Sequence, residues 1–432
     1  LEVKKIFTII GGGSAYTPGL MLALIHHRDK LNLSEVRLMD IHEEHLEITH
    51  KLCSRMAQTS SAGFVVNATM DLNEAMHDVD FVLNTSRPGG FECRMKDETL
   101  PLEFYIPGQE TVGPGGFFFA MRSVPEAHKL ADAIEKYAPK AILLNYTNPA
   151  NIVTQALIDR GFKRVLGLCD QFDGDLSALG TALGFDNPRC FDFETSGLNH
   201  ATWHSNITFG GRPLPETLPE NFPEAANKHG EEYSLRYNES LRLARLHKGF
   251  YPNSYIAYYT KPDAFVDHYR KHGTRTEEIL KKLPFYYEHF KEEAAKEVPN
   301  VVHHRGGEDF GDFAISTLAA LQDEHEHKMV YNVLNGKSTS YLDENTVAEI
   351  RTLVSRNGIK NMTSPDVPQG RRDLILKLEE YQRLAAEAAT TQDVRKVIKA
   401  LASNPLVNDN HTAESMLSRA RDIYKGDFPM FS

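Results

Sequence analysis

A short apolar run, IFTII (6–10), passes directly into Gly11, Gly12, Gly13 and Ser14, and Gly19 then falls at the start of a helical pattern, PGLMLALIHHRDKL (18–31). A strand that turns on glycines into a helix carries backbone N–H groups and a helix N-terminus to one end of a sheet, where they can approach a pyrophosphate. The same alternation continues through EVRLMD (35–40), a helical stretch near 43–58, FVVNA (64–68), FVLNT (81–85), helices near 122–137 and 151–160, AILLN (141–145) and RVLGL (164–168). Short β-rich runs alternating with helices are the signature of a parallel sheet wrapped on both faces, so the expected class is α/β with a Rossmann-type doubly wound sheet.

Beyond about residue 195 the alternation fades. Longer amphipathic stretches near 224–247, 274–297, 343–355 and 370–401 predict a second, mainly helical α+β lobe, whereas 200–222, with Gly-Gly and spaced prolines, reads as strand, turn and loop. Thr274 followed by Glu277 forms a capping-box pattern that starts a helix with Arg275 in its first turn. The expected organisation is a nucleotide-binding domain over 1–195 and a substrate, metal and oligomerisation domain over 196–432.

Composition narrows the class further. With 41% hydrophobic and 25% charged residues the chain is neither disordered nor fibrous, and a net charge of −11 argues against nucleic acid or anionic membrane as a partner. An anionic substrate would need local arginines. No signal-peptide pattern and no apolar run of about eighteen residues precede or interrupt these segments, so a cytoplasmic location is expected. Cys53, Cys93, Cys169 and Cys190 are too scattered for a disulfide framework.

Asp40 ends the second β run, at about the separation from the glycine turn expected of the acid that accepts ribose hydroxyls. It favours NAD over a 2′-phosphorylated cofactor. Arg87, Arg94, Asn145, Asn148, Cys169 and Asp170 follow the ends of successive β runs, where open α/β sheets bind ligands. Asn199 and His200 come about thirty residues after Cys169; by spacing alone they are a weak metal signal, and a lone histidine is more often structural.

GGGSAYTPG (11–19), GQETVGPGG (108–116), NYTNPA (145–150), the Cys169-Asp170 pair, GLNH (197–200), PNSY (252–255) and HGTR (272–275) occur in one order, and together they resemble the NAD- and manganese-dependent glycoside hydrolases of family four, most of all the 6-phospho-glucosidases. The resemblance implies hydrolysis of a phosphorylated glucoside, α-linked in preference, to glucose 6-phosphate and aglycone by redox-assisted elimination and water addition, outside the two-carboxylate scheme. It assigns NAD to Gly11, Gly12, Gly13, Ser14 and Asp40. Mn2+, or another divalent ion, goes to Cys169 and His200; ligand softness alone would have suggested zinc. Tyr255 becomes the base and Asp170 the general acid of the α-type enzymes. Glu110, Asn148 and Asn199 go to the sugar, Arg94 and Arg275 to its phosphate. A homodimer or homotetramer is also implied.

Gln171-Phe172 stand where the α-type motif usually continues Met-Pro, and HHRGGEDFGDF (303–313) is nearer the β-type members, so a 6-phospho-β-glucosidase is the alternative. An NAD-dependent 2-hydroxy-acid dehydrogenase and a non-catalytic NAD or sugar-phosphate sensor are competing readings from other classes.

Overall fold

The computed structural model describes residues 4–223, 230–305 and 311–428. The six β runs expected in the first half form β1 (Lys5–Ile10), β2 (Leu33–Met39), β3 (Val65–Thr69), β4 (Phe81–Asn84), β5 (Ile142–Asn145) and β6 (Val165–Gly167). They pair in parallel in the order β3-β2-β1-β4-β5-β6, the doubly wound arrangement whose ligand crevice opens beside β1 and β4. Phe7, Ile9, Val36, Leu38, Val82, Leu83, Leu143 and Leu144 are wholly buried, as expected of strands covered on both faces.

Helices α1 (Thr17–His26), α2 (Glu43–Thr59), α3 (Leu72–Met76), α4 (Gly90–Glu103), α5 (Gly113–Tyr137), α6 (Ala150–Asp159) and α7 (Gln171–Ala182) accompany these strands. α4 has no apolar periodicity in its sequence because its buried face carries Arg94, Asp97 and Glu98. It supplies much of the site described below.

A second sheet follows, β7 (Phe191–Ser196), β8 (Trp203–Phe209), β9 (Arg212–Pro213) and β10 (Phe250–Pro252). The later helices are α8 (Glu231–Leu246), α9 (Ala257–Thr260), α10 (Pro262–His272), α11 (Arg275–Ala294) and α12 (Asp312–Ala320), then α13 (Arg372–Thr391), α14 (Val394–Ser403) and α15 (Asn410–Tyr424). α11 lies against α2 and α4, while α13 covers α5 and α6. The part of the 224–247 expectation over 224–229 lies outside the described residues. The 370–401 stretch divides where Gln392 adopts a left-handed conformation (φ 54°) and Asp393 caps α14.

The expectation for 343–355 is corrected. This segment is not a helix but contains β12 (Val347–Ser355), which with β11 (His327–Leu334) and β13 (Gly358–Asn361) extends the first sheet antiparallel from β6. VAEIRTLVS is rich in β-branched residues, and Ala348, Ile350, Thr352 and Val354 alternate along one buried face. Strands from beyond residue 195 therefore complete the sheet begun at residue 5.

Candidate active site

The glycine turn is held from both sides. The N–H groups of Gly11 and Gly12 each donate to the Met39 carbonyl at 2.9 Å, and Gly11 has φ +88° with no room for a side chain against Thr85. Asp40 Oδ2 accepts from Gly13 N–H (2.8 Å) and Oδ1 from His42 N–H (3.0 Å). Ser14 N–H donates to the Gly11 carbonyl, and Ser14 Oγ accepts from Tyr16 N–H at 3.3 Å. Gly11, Gly12, Gly13, Ser14 and Asp40 thus meet at one sheet end. From α11, the Tyr287 hydroxyl donates to the Gly13 carbonyl (2.8 Å), tying the second half of the chain to this turn.

Cys169 follows β6 and His200 follows β7; the fold brings Cys169 Sγ to 3.4 Å from His200 Nε2. His200 is buried in a left-handed conformation (φ 63°). Burial and then the Arg236 charge push its pKa down to about 3, so the imidazole is neutral and offers a lone pair. The His200 Nδ1 and Asn199 Oδ1 atoms are buried without hydrogen-bond partners. Burial, then the charges of Glu349 and Asp170, push the Cys169 thiol well up, so a thiolate here requires a cation. A thiol, a neutral imidazole and an orphaned amide oxygen fit a divalent metal ion.

Glu349 is a residue the sequence reasoning missed. From β12 its buried carboxylate accepts from Asn199 Nδ2 (3.0 Å) and Thr202 Oγ1 (3.3 Å), and burial pushes it up to about 7. It orients the Asn199-His200 turn. A charged residue within a run rich in β-branched residues is the signal the sequence offers.

Tyr255 lies beside His200 with ring centroids 3.9 Å apart and planes 15° from parallel, and the Arg236 guanidinium stands 3.9 Å from its ring centroid. Burial raises the phenol's pKa; Arg236 opposes the rise. Arg236 is itself fixed: its Nε and Nη2 donate to Ser254 Oγ (3.2 and 2.6 Å), while Ser254 N–H and Oγ–H donate to the two Asp175 oxygens (2.8 and 2.7 Å). Nothing in the polar sequence around Arg236 marks it in advance.

Asp170 is buried by its surroundings, which raises its carboxyl pKa, while the Tyr146 hydroxyl facing it partly offsets the rise. Half-buried Asn148 sits on the turn after β5, where Asn145 Nδ2 donates to the Thr147 carbonyl (3.0 Å) and Thr147 Oγ1 to that of Ser86 (2.8 Å).

The arginines converge on Glu110. Gly108 permits this, because a Cβ there would stand 1.6 Å from the Glu98 carbonyl oxygen of α4. Glu110 Oε2 is 2.5 Å from Arg87 Nη1 and 3.0 Å from Arg94 Nη1. Arg305, another residue not anticipated, also bears on it; its guanidinium lies 4.3 Å from the Tyr16 ring centroid and 4.9 Å from that of Phe91. Burial, with repulsion from Arg87 and Arg94, lowers Arg305 to about 10. Arg87, Arg94 and Arg305 face two carboxylates, Glu110 and Glu98, which leaves one surplus positive charge in a chain of net charge −11.

Arg94 and Arg275 are joined through Glu98, which accepts from Arg94 Nε (2.8 Å) and from Thr276 N–H (2.8 Å) at the start of α11. Arg275 pairs with Glu278 and remains partly exposed. The Thr274–Glu277 capping box forms as expected.

Burial alone would raise Glu110, but Arg87, Arg94 and Arg305 hold it at about 2 against an ordinary 4.5. That depression contributes roughly 3 kcal/mol of stability, present above about pH 4.5 and lost as pH falls towards 2. Denaturant unfolding of wild type and Glu110→Gln should therefore differ at pH 6 by several kcal/mol, and that difference should shrink by about 2 kcal/mol near pH 3, with the rest lost only as pH falls through 2. An equal difference at both pH values would show that the arginines do not hold Glu110 ionised.

Fold and site define an α/β chain with a dinucleotide-type turn, a thiol–imidazole pair and an arginine cluster at adjoining sheet ends. The chain belongs to the family 4 glycosyl hydrolases: the family model matches residues 5–184 and the model of the family's C-terminal domain residues 195–407. It is 32% identical to a Bacillus subtilis protein named "Probable 6-phospho-beta-glucosidase", over 99% of this chain and 98% of that one. It is 28% identical to a 6-phospho-alpha-glucosidase of Leptotrichia buccalis, over 99% and 100%. A crystal structure of a 6-phospho-alpha-glucosidase from gut microorganisms in complex with NAD and Mn2+ superposes with a TM-score of 0.89, at 25% identity and 99% coverage of both chains.

Proposed function

We propose that this chain hydrolyses 6-phosphoglucosides, with α-linked substrates preferred, using NAD and a divalent ion of the Mn2+ class. The observation that carries the reading is the meeting of Cys169 with His200 at 3.4 Å and the stacking of Tyr255 on the His200 ring at 3.9 Å, in a chain whose Arg87 and Arg94 gather on Glu110. Relatives named for both 6-phospho-α- and 6-phospho-β-glucosides support the substrate class.

When bound, NAD supplies reversible removal of hydride from carbon 3 of the sugar, and the metal supplies Lewis acidity towards the 2- and 3-oxygens. The turn at Gly11, Gly12, Gly13 and Ser14, with Asp40, holds the cofactor. Cys169 and His200 hold the metal. Arg94 and Arg275 bind the phosphate and orient the sugar, with Glu110, Asn148 and Asn199 accepting or donating to its hydroxyls. Oxidation at carbon 3 acidifies the carbon 2 proton, which Tyr255 removes as the bond from carbon 1 to the aglycone breaks. Asp170 gives its proton to the departing oxygen. Water then adds at carbon 1 and leaves its other proton on Asp170, Tyr255 returns the proton to carbon 2 and hydride returns to carbon 3, so the net reaction is hydrolysis. The chain works in the cytoplasm as a homodimer or homotetramer.

The test is turnover of α- and β-nitrophenyl glucoside 6-phosphates, beside their unphosphorylated forms, in heavy water with NAD, Mn2+ and thiol. Product deuterated at carbon 2, NADH constant and a requirement for the phosphate are expected. Product free of deuterium would exclude the elimination, and NADH accumulating with substrate would favour the dehydrogenase reading.

A further inference from the structure

Outside the site just described, α8 and α10 bring together three side chains with no part in the proposed reaction. His268 and His272 are four residues apart on α10 and so share one helix face. Glu231, the first residue of α8, points its Oε2 between them, 3.6 Å from His268 Nδ1 and 3.1 Å from His272 Nε2. The three ligand atoms all lie within 4.8 Å of one another.

Two features distinguish this cluster from an ordinary histidine–carboxylate pair. His268 Nδ1 is buried, on a side chain only 13% exposed, and makes no hydrogen bond although it faces the carboxylate. His272 Nε2 approaches the same oxygen, so one carboxylate oxygen faces both imidazoles. The two histidine–carboxylate separations, 3.1 and 3.6 Å, are those expected at a metal, where ligand bonds of about 2.0–2.2 Å around one ion put neighbouring ligand atoms roughly 3–3.6 Å apart. The side chains of Glu231 and His272 are 59% and 42% exposed, which leaves an entry path and open positions for water.

We propose that Glu231, His268 and His272 form a second divalent-cation site, separate from Cys169 and His200. Two imidazoles and one carboxylate select a borderline ion of the Zn2+ class over Mn2+ or Mg2+. The ion would clamp the start of α8 to the end of α10. Both ends lead into the catalytic region. Beside Glu231, Glu232 accepts from the Tyr258 hydroxyl (2.6 Å), which is 3.0 Å from the Tyr269 hydroxyl, and the Tyr258 ring lies 5.5 Å from that of Tyr255. After His272 the chain passes through Gly273 to the cap of α11 and Arg275. The inference does not depend on the proposed reaction.

The experiment is calorimetric titration of metal-free Cys169→Ser chain with Zn2+, in parallel with thermal unfolding. The Cys169→Ser chain should bind one Zn2+ and rise in Tm, with Mn2+ much weaker. Adding Glu231→Gln or His272→Ala, both at partly exposed positions that spare the core, should weaken Zn2+ binding by roughly tenfold or more and remove the Tm rise. Wild type should bind two ions. No Zn2+ bound by the Cys169→Ser chain, or equal binding after Glu231→Gln and His272→Ala, would overturn the site.

Discussion

Tyr255→Phe should lower kcat by roughly 10²–10⁴-fold while leaving the protein folded and its metal pair intact. The phenylalanine ring keeps the 3.9 Å stacking on His200 and the place beneath Arg236, so the substitution removes the hydroxyl and little else. The deleted atom is the one asked to take the carbon 2 proton. Burial disfavours its phenolate, and the opposing influence within the chain is Arg236, held by Ser254 and Asp175. A metal ion held at Cys169 and His200 would add to that influence. Incorporation of deuterium into the product at carbon 2 should fall in proportion to kcat. Exchange at the wild-type rate in Tyr255→Phe would assign the base elsewhere.

Asp170→Asn should act selectively on the leaving group. A sugar alkoxide departs poorly without a proton, whereas nitrophenolate is a stable anion, so a general acid matters in proportion to leaving-group basicity. Cleavage of disaccharide 6-phosphates should fall by roughly 10²–10⁴-fold, with nitrophenyl substrates affected far less. Burial, which raises the Asp170 pKa, is the environment a proton donor needs. A uniform loss across leaving groups would make Asp170 an orienting residue and remove the main support for α preference.

The parts of the site that were legible in advance are those carried by short contiguous segments. A strand, three glycines and a helix declare a phosphate-binding turn because few other sequences tolerate φ +88° at Gly11. The ends of β4, β5 and β6 were legible because a parallel sheet puts all its C-terminal strand ends on one edge. Arg236, Arg305 and Glu349 were not, since each owes its place to a contact across the chain: the Tyr255 ring, the Tyr16 ring and the Asn199 amide. α4 escaped notice for a related reason, its inward face being charged instead of apolar. Segment 343–355 does not declare itself because VAEIRTLVS is buried on both faces over most of its length, a short run whose periodicity does not separate helix from strand, and only its pairing with β11 selects the strand.

By itself the sequence determined the α/β class, the order of the first six strands along the chain, the nucleotide turn with Asp40 and the residue types available at the strand ends. These follow from local rules, namely side-chain periodicity, glycine conformation and capping. Tertiary structure alone decided that residues 327–361 finish the first sheet, that Cys169 and His200 meet at 3.4 Å, and that three arginines share Glu110. Those outcomes depend on burial and on charges brought together from distant segments, and the free energy of such an encounter belongs to no single stretch of sequence.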